Sequence, residues 1–174
     1  MARYGARIQS LAAQAAGVPA SGAGGAVLGY IGDWGASASA GFRLRRVKLG
    51  VIAGASVPTS QQISIGVYRQ TVAPAGTGIN ATVAGQAFEI WTPTDPTAGI
   101  FSVSATTIGT TNPTVAAQPL DIITLNTQST TDTPWEFMEE IICNTGTANG
   151  ICFVNIGNTL PAAHQVNISV EVEV

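Results

Sequence analysis

The last nine residues of the chain alternate strictly between apolar and polar side chains, and this pattern restricts the fold more than any other feature of the sequence. The apolar positions are Val166, Ile168, Val170, Val172 and Val174. A period of two is the side-chain spacing of a β-strand with one buried face. We therefore expect a strand over 166–174 whose apolar face packs against a second layer of the protein.

A second strand is expected over residues 42–53, and it contains one irregularity. Its apolar positions are even-numbered up to Leu44 and odd-numbered from Val47 onward. One extra residue near Arg45 and Arg46 restores the alternation, and inserting one residue in this way is what a β-bulge does. The sequence therefore predicts a bulge at this pair of arginines.

Several shorter runs of apolar or alternating residues also predict strands. They lie at 27–31, 63–68, 88–91, 100–105, 120–126, 135–143 and 151–156. Clusters of Gly, Pro, Asn and Thr separate these runs, and no sustained helical period occurs after residue 26, which is typical of an all-β fold. We predict a two-layer antiparallel β-sandwich over residues 27–174, jelly-roll-like in its number of strands.

The segment 144–150 is rich in Gly and Asn, which supply the positive φ angles of hairpin loops, so the flanking runs are expected to form a hairpin. Cys143 and Cys152 then lie across this hairpin, not on two distant strands around a tryptophan as in an immunoglobulin domain. Two alternatives remain for these cysteines. They form a cross-strand disulfide, or they are two reduced thiols in the core.

Residues 1–26 differ from the rest of the chain because they are rich in Ala and Gly. They lack the apolar segment of a secretory signal. We expect an N-terminal arm with a short helix over 8–16, ended by Gly17 and Pro19. Such an arm needs a neighbouring subunit or a larger particle to order it. Its removal is expected to leave the sandwich folded.

The charge content of the chain points to self-assembly. Only 10% of its 174 residues are charged, against about 25% in average globular proteins. A surface with so few charges repels its own copies weakly. Nucleic acid is an unfavourable partner at a pI near 4.9, and no apolar run is long enough to span a membrane.

The charges are divided between the two halves of the sequence. All seven basic residues and one acid lie in residues 1–87, and the other nine acids follow from residue 89 onward. Opposite charges either pair between strands of one subunit or meet across an interface. The candidate interface residues are Arg3, Arg7, Arg43, Arg45, Arg46, Lys48, Glu136, Glu139 and Glu140. We expect the basic strand to face the acidic cluster of an adjacent subunit or an acidic patch on a larger particle.

Residue types suited to catalysis or metal binding are few in this chain. His164 is the only histidine and precedes the last strand, where we expect it to face solvent. The spacing of Cys143 and Cys152 matches no metal-ligand motif. The acids at 136, 139 and 140 resemble the paired carboxylates of a glycosidase only superficially, and a solvated face or a subunit contact is the expected role. The sequence thus predicts neither an enzyme nor a cofactor.

Three tryptophans leave one alternative function open. Trp34, Trp91 and Trp135 could stack on sugars, which makes a carbohydrate-binding or receptor-binding β-sandwich the second hypothesis. Core packing is the competing role for the two that fall in predicted strands.

The overall plan of the chain resembles that of small virion structural proteins of tailed bacteriophages. The residues that carry the resemblance are the opening sequence 1–7, the Ala/Gly-rich arm, the basic strand 42–47 and the Thr-rich sandwich that ends in 168–174. The resemblance implies a non-enzymatic capsid decoration, head-fibre or minor tail protein located in the virion. It further implies a homo-oligomer, commonly a trimer, with other virion proteins such as the major capsid protein as partners.

Overall fold

The structure is a computed structural model in which the chain folds into β-strands. It describes residues 2–10, 12, 16, 27–32, 41–54, 57–72, 86–87, 89–90, 101–104, 113–128, 132–137, 139–145 and 149–174. Within these ranges, no helix is long and apolar enough to cross a membrane. The predicted all-β fold is confirmed, with two antiparallel sheets packed against each other.

The first sheet, called sheet A, is built around the C-terminal strand. Its strands are β1 (Arg3–Gln9), β3 (Phe42–Ile52), β6 (Glu89–Ile90), β10 (Thr133–Trp135), β11 (Ile141–Cys143) and β13 (Gln165–Glu173). The order across the sheet is β10-β3-β13-β1-β6, and β11 pairs with the same edge of β3 as β10 does. The β13 strand therefore lies at the centre of sheet A, between β3 and β1.

The second sheet, called sheet B, contains the remaining strands. They are β2 (Val27–Gly32), β4 (Gln62–Val72), β5 (Gln86–Ala87), β7 (Phe101–Ser104), β8 (Thr114–Val115), β9 (Asp121–Asn126) and β12 (Gly150–Asn155). The order is β5-β7-β2-β12-β4-β8, with β9 also paired to β4. No two of the described strands that are consecutive in the chain pair with each other. The jelly-roll connectivity stays a prediction.

The hydrophobic core lies between the two sheets. Sheet A contributes residues such as Val47, Leu49 and Ile168, and sheet B contributes residues such as Ile65 and Phe153, all fully buried. A smaller cluster of buried residues occupies the opposite face of sheet B. Its members are Val27, Tyr30, Tyr68, Val115, Cys152 and Val154.

The predicted bulge at the two arginines is confirmed. Along β13 and β3, Glu171 is opposite Arg46, but the next residue, Val172, is opposite Leu44. Arg45 is therefore the extra residue. Both Arg45 and Arg46 are exposed as a result, while Leu44 and the residue after Arg46 remain buried on the core side.

The prediction that the chain begins with an arm outside the sandwich is wrong for residues 3–9. This segment is β1, paired with β13 along all seven residues, and its Tyr4 and Ile8 are buried in the core. Ser10 continues the pairing, since its backbone N–H donates to the Val166 carbonyl at 2.9 Å. The predicted helix is also wrong at its start, because Ile8 is in the strand. Most of the predicted arm beyond residue 10 lies outside the described residues.

The hairpin predicted around residues 144–150 is wrong as well. The strand before it, β11, pairs with β3 in sheet A, whereas β12 after it pairs with β2 and β4 in sheet B. The segment therefore crosses from one sheet to the other. The run 135–143 is likewise not one strand, because residues 136–140 separate β10 from β11 along the edge of β3.

Candidate functional site

The outer face of sheet A holds most of the charged residues that the sequence singled out, and we call it the charged face. Neighbouring side chains of β1, β13 and β3 form three rows across it. From β1 through β13 to β3, the rows are Arg3–Glu173–Arg43, Gly5–Glu171–Arg46 and Arg7–Ser169–Lys48. The apolar side chains of the same strands point into the core, so period-two alternation directs these polar side chains outward.

The carboxylates of β13 form ion pairs with arginines on both neighbouring strands. Glu171 lies 3.4 Å from an Arg3 guanidinium nitrogen and 3.9 Å from one of Arg46. Glu173 accepts a hydrogen bond from Arg45. Glu171 is 7% exposed, although it is on the outward face, because arginines flank it on two sides.

The bulge adds a third carboxylate to this network. Arg45, displaced by the bulge, contacts Glu140 as well as Glu173. Glu140 also lies 3.4 Å from Arg43. The hydrogen bond from Arg45 lowers the pKa of Glu173 below its ordinary value, and the same contact raises the pKa of Arg45.

These ion pairs show that, of the two alternatives for the opposite charges, part of the pairing occurs inside one chain. Arg43 and Arg45 pair with Glu140, and Arg3 and Arg46 pair with Glu171. Pairs between residues about 95 positions apart cannot be inferred from local spacing. The sequence reasoning also missed Glu171 and Glu173 as members of the network. Their signal was present, since both belong to the polar face of the alternating last strand.

Four of the predicted interface residues form no ion pair within the part of the chain that the structure describes. These are Arg7, Lys48, Glu136 and Glu139. All four are exposed. The charged face therefore combines an internally neutralised region with charges that are still available to a partner.

A groove lies along the outer edge of β3, at the positions where neither β10 nor β11 pairs with this strand. The paired positions on that edge stop at Leu44 with β11 and resume at Val47 with β10. The intervening groove measures about 560 Å³ and is lined by Arg45, Arg46, Lys48 and the three glutamates at 136, 139 and 140. The bulge and the acidic segment thus face each other across it.

The three acids of the cluster differ in their contacts. Glu140 is engaged by two arginines, whereas Glu136 and Glu139 are exposed. No group of three His, Cys, Asp or Glu side chains in the described part of the chain is placed to hold a metal ion.

Trp135 is a core residue. It is 5% exposed, its ring lies 5.1 Å from that of Phe137, and its Nε1–H donates to Asp121 Oδ2 at 3.0 Å. This hydrogen bond joins β10 of sheet A to β9 of sheet B. Trp135 cannot stack on a sugar in this position, and Trp34 and Trp91 lie outside the described residues.

The expectation that His164 faces solvent is wrong. The side chain is fully buried, and its Nε2 accepts a hydrogen bond from the Thr59 backbone N–H at 3.1 Å. Its Nδ1 lies 2.9 Å from the Ala162 carbonyl oxygen, which can only accept, so Nδ1 carries the proton. His164 is therefore a structural residue that joins two loops.

The two cysteines are free and buried. Cys143 belongs to the core between the sheets, and Cys152 belongs to the cluster on the opposite face of sheet B. Cys143 lies in β11 of sheet A and Cys152 in β12 of sheet B, so the two are not opposite each other in one hairpin. Burial raises the pKa of Cys143 to about 11, although Arg69 opposes the shift, and burial also raises the pKa of Cys152.

Comparisons of the chain with protein-family models, with curated proteins and with solved structures give no match.

Proposed function

We propose that this protein is a non-enzymatic structural subunit of a virion, which decorates or stabilises a capsid or tail by assembling with copies of itself. The observation that carries the proposal is the segregation of charge. Six of the seven basic residues lie on β1 and β3, on one face of sheet A. A face of this kind gives a subunit a defined orientation on its partner.

Sheet B differs sharply from sheet A in charge. Its described strands contain only Arg69 and Asp121 as charged residues. A molecule with one charged and one nearly uncharged sheet is suited to a two-sided environment, such as a particle surface on one side and solvent on the other. A freely diffusing monomer has no need of this polarity.

The composition and the resemblance to tailed-phage virion proteins support the same function. The low charge content favours association between copies. The resemblance adds the major capsid protein as a partner and a trimer as the expected oligomer.

The experiment that tests this proposal combines mass measurement with imaging. Light scattering coupled to size-exclusion chromatography gives the oligomeric mass of the purified protein, and electron microscopy locates it on virions prepared from its source. We expect a discrete oligomer and repeated density at fixed positions on the particle. A monomer at every salt concentration, together with its absence from virions, would contradict the proposal. Specific binding on a glycan array by such a monomer would instead favour the carbohydrate-binding alternative.

A further inference from the structure

The three rows of the charged face differ in the residue at their centre, which β13 supplies. In the first two rows this residue is a glutamate that pairs with arginines of the neighbouring strands, and a glycine, Gly5, takes the β1 position of the second row. In the third row the central residue is Ser169, and both flanking residues are cations, Arg7 and Lys48. The third row therefore has two flanking cations and no central carboxylate.

The space for a carboxylate is present at this position. Residues directly opposite each other on neighbouring strands have Cβ atoms about 5 Å apart, so Arg7 and Lys48 flank Ser169 at about 10 Å from each other. The short side chain of Ser169 and the adjacent Gly50 leave a depression of about 420 Å³. The long side chains of the two cations can both turn toward a group that enters from above.

The surroundings of the depression leave a positive charge excess. Asp132 also borders the depression, but its carboxylate oxygens lie more than 4 Å from the charged nitrogens of Arg7 and Lys48. Two cations thus face one carboxylate among the described residues that line the site. An incoming anionic group would meet a net attraction.

The same chain exposes two carboxylates that form no ion pair with any described residue. Glu136 and Glu139 lie on the segment between β10 and β11, at the edge of the charged face, and form no ion pair with the described residues. One surface thus carries both an unfilled cation pair and an unpaired acid pair. This is the complementarity that an interface between identical subunits requires.

We propose that the Arg7–Ser169–Lys48 row binds the Glu136 and Glu139 carboxylates of a second copy of this chain. The inference rests on the proposed self-assembly and names its contact. Because the contact is electrostatic, it orients the two copies as they associate, and like charges placed across it oppose association. It weakens as the Debye length falls from about 10 Å at 0.1 M salt to about 3 Å at 1 M.

A single substitution tests the vacant position directly. Ser169→Glu supplies within the chain the carboxylate that the first two rows already possess. We expect the variant to fold normally and to lower the association constant by at least about tenfold at low salt, since the added acid occupies the site and repels incoming glutamates. Sedimentation velocity measures the association, and circular dichroism with thermal melting verifies the fold.

Two matched variants separate charge at this position from other effects. Ser169→Gln introduces a side chain of similar size without the charge and is expected to weaken association far less. Thr71→Glu adds the same charge at an exposed position on sheet B and is expected to associate like the parent protein. Equal effects of Ser169→Glu and Ser169→Gln would overturn the inference.

A charge-reversal pair identifies the source of the carboxylate. One variant combines Arg7→Glu with Lys48→Glu, and the other combines Glu136→Lys with Glu139→Lys. Each alone places like charges across the contact and should fail to associate, whereas an equimolar mixture restores opposite charges and should associate. A mixture that stays dissociated would overturn the inference, as would a Ser169→Glu variant that associates like the parent. If Ser169→Glu associates like an oligomeric parent protein, this contact is wrong but the proposed function is retained. If the parent protein is a monomer, both the contact and the proposed function are wrong.

Discussion

At the scale of single residues, the charged face is organised by the carboxylates of the last strand. Glu173 accepts a hydrogen bond from Arg45, and this contact lowers its pKa. Arg45 reaches Glu173 only because the bulge makes it an extra residue between Leu44 and Arg46. A local irregularity of β3 therefore determines which arginine neutralises which glutamate.

The lowered pKa of Glu173 predicts a pH-dependent contribution to stability. The folded chain binds this proton less readily than the unfolded chain, whose ordinary Glu value is 4.5. The contribution is therefore fully present above that value and is lost as the pH falls through the lowered pKa. We expect Glu173→Gln to lower the melting temperature at neutral pH and to have little effect well below the lowered pKa. An equal effect of Glu173→Gln at both pH values would show that shape, not charge, matters here.

At the scale of secondary structure elements, β1 has the position of a structural strand. It lies between β13 and β6, and its side chains alternate between the core and the charged face. Burying Tyr4 and Ile8 removes two large side chains from water, and this stabilises the contact with sheet B. Residues 3–9 thus belong to the sandwich and supply Arg3 and Arg7 to its surface.

Substitutions on the two faces of β1 test its place in the core. Ile8→Ala should reduce the free energy of unfolding by about 2–5 kcal/mol, because it leaves a cavity in a fully buried position. Arg7→Ala, on the exposed face of the same strand, should change it by less than about 0.5 kcal/mol. Urea unfolding followed by circular dichroism measures both values. Similar small effects of the two substitutions would place β1 outside the core.

Local patterns predicted individual elements well, but they could not predict which elements pair. The last strand and the bulge at Arg45 followed from apolar spacing, because alternation is a property of a strand by itself. Strand β1 was missed although its apolar positions, Ala2, Tyr4, Ala6 and Ile8, also have a period of two, because two of the four are alanines, which contrast weakly with their neighbours. The buried position of His164 depends on Thr59, which is 105 residues away. No local signal reports such a contact.

At the scale of the whole molecule, every described strand pairing joins strands that are not consecutive in the chain. The central strand β13 pairs with β1 and β3, which come from the other end of the sequence. Folding must close long loops before these pairings form, which is typical of slow-folding all-β proteins. This connectivity also brings basic residues of the first half and acids of the second half together on one face, where Arg3, Arg43, Arg45 and Arg46 pair with Glu140, Glu171 and Glu173.

The most direct test of assembly through the charged face uses Lys48, the only lysine in the sequence. Its side chain is exposed in the single subunit and belongs to the row that is proposed to receive a carboxylate from a second copy. An amine-acylating reagent applied at low salt, with mass spectrometry of the peptide that contains Lys48, measures its accessibility. We predict slow acylation of Lys48 in the assembled parent protein and fast acylation after the same protein is diluted until it dissociates. Equal rates in the assembled and the diluted protein would show that the charged face stays open to solvent, and would contradict its role in assembly.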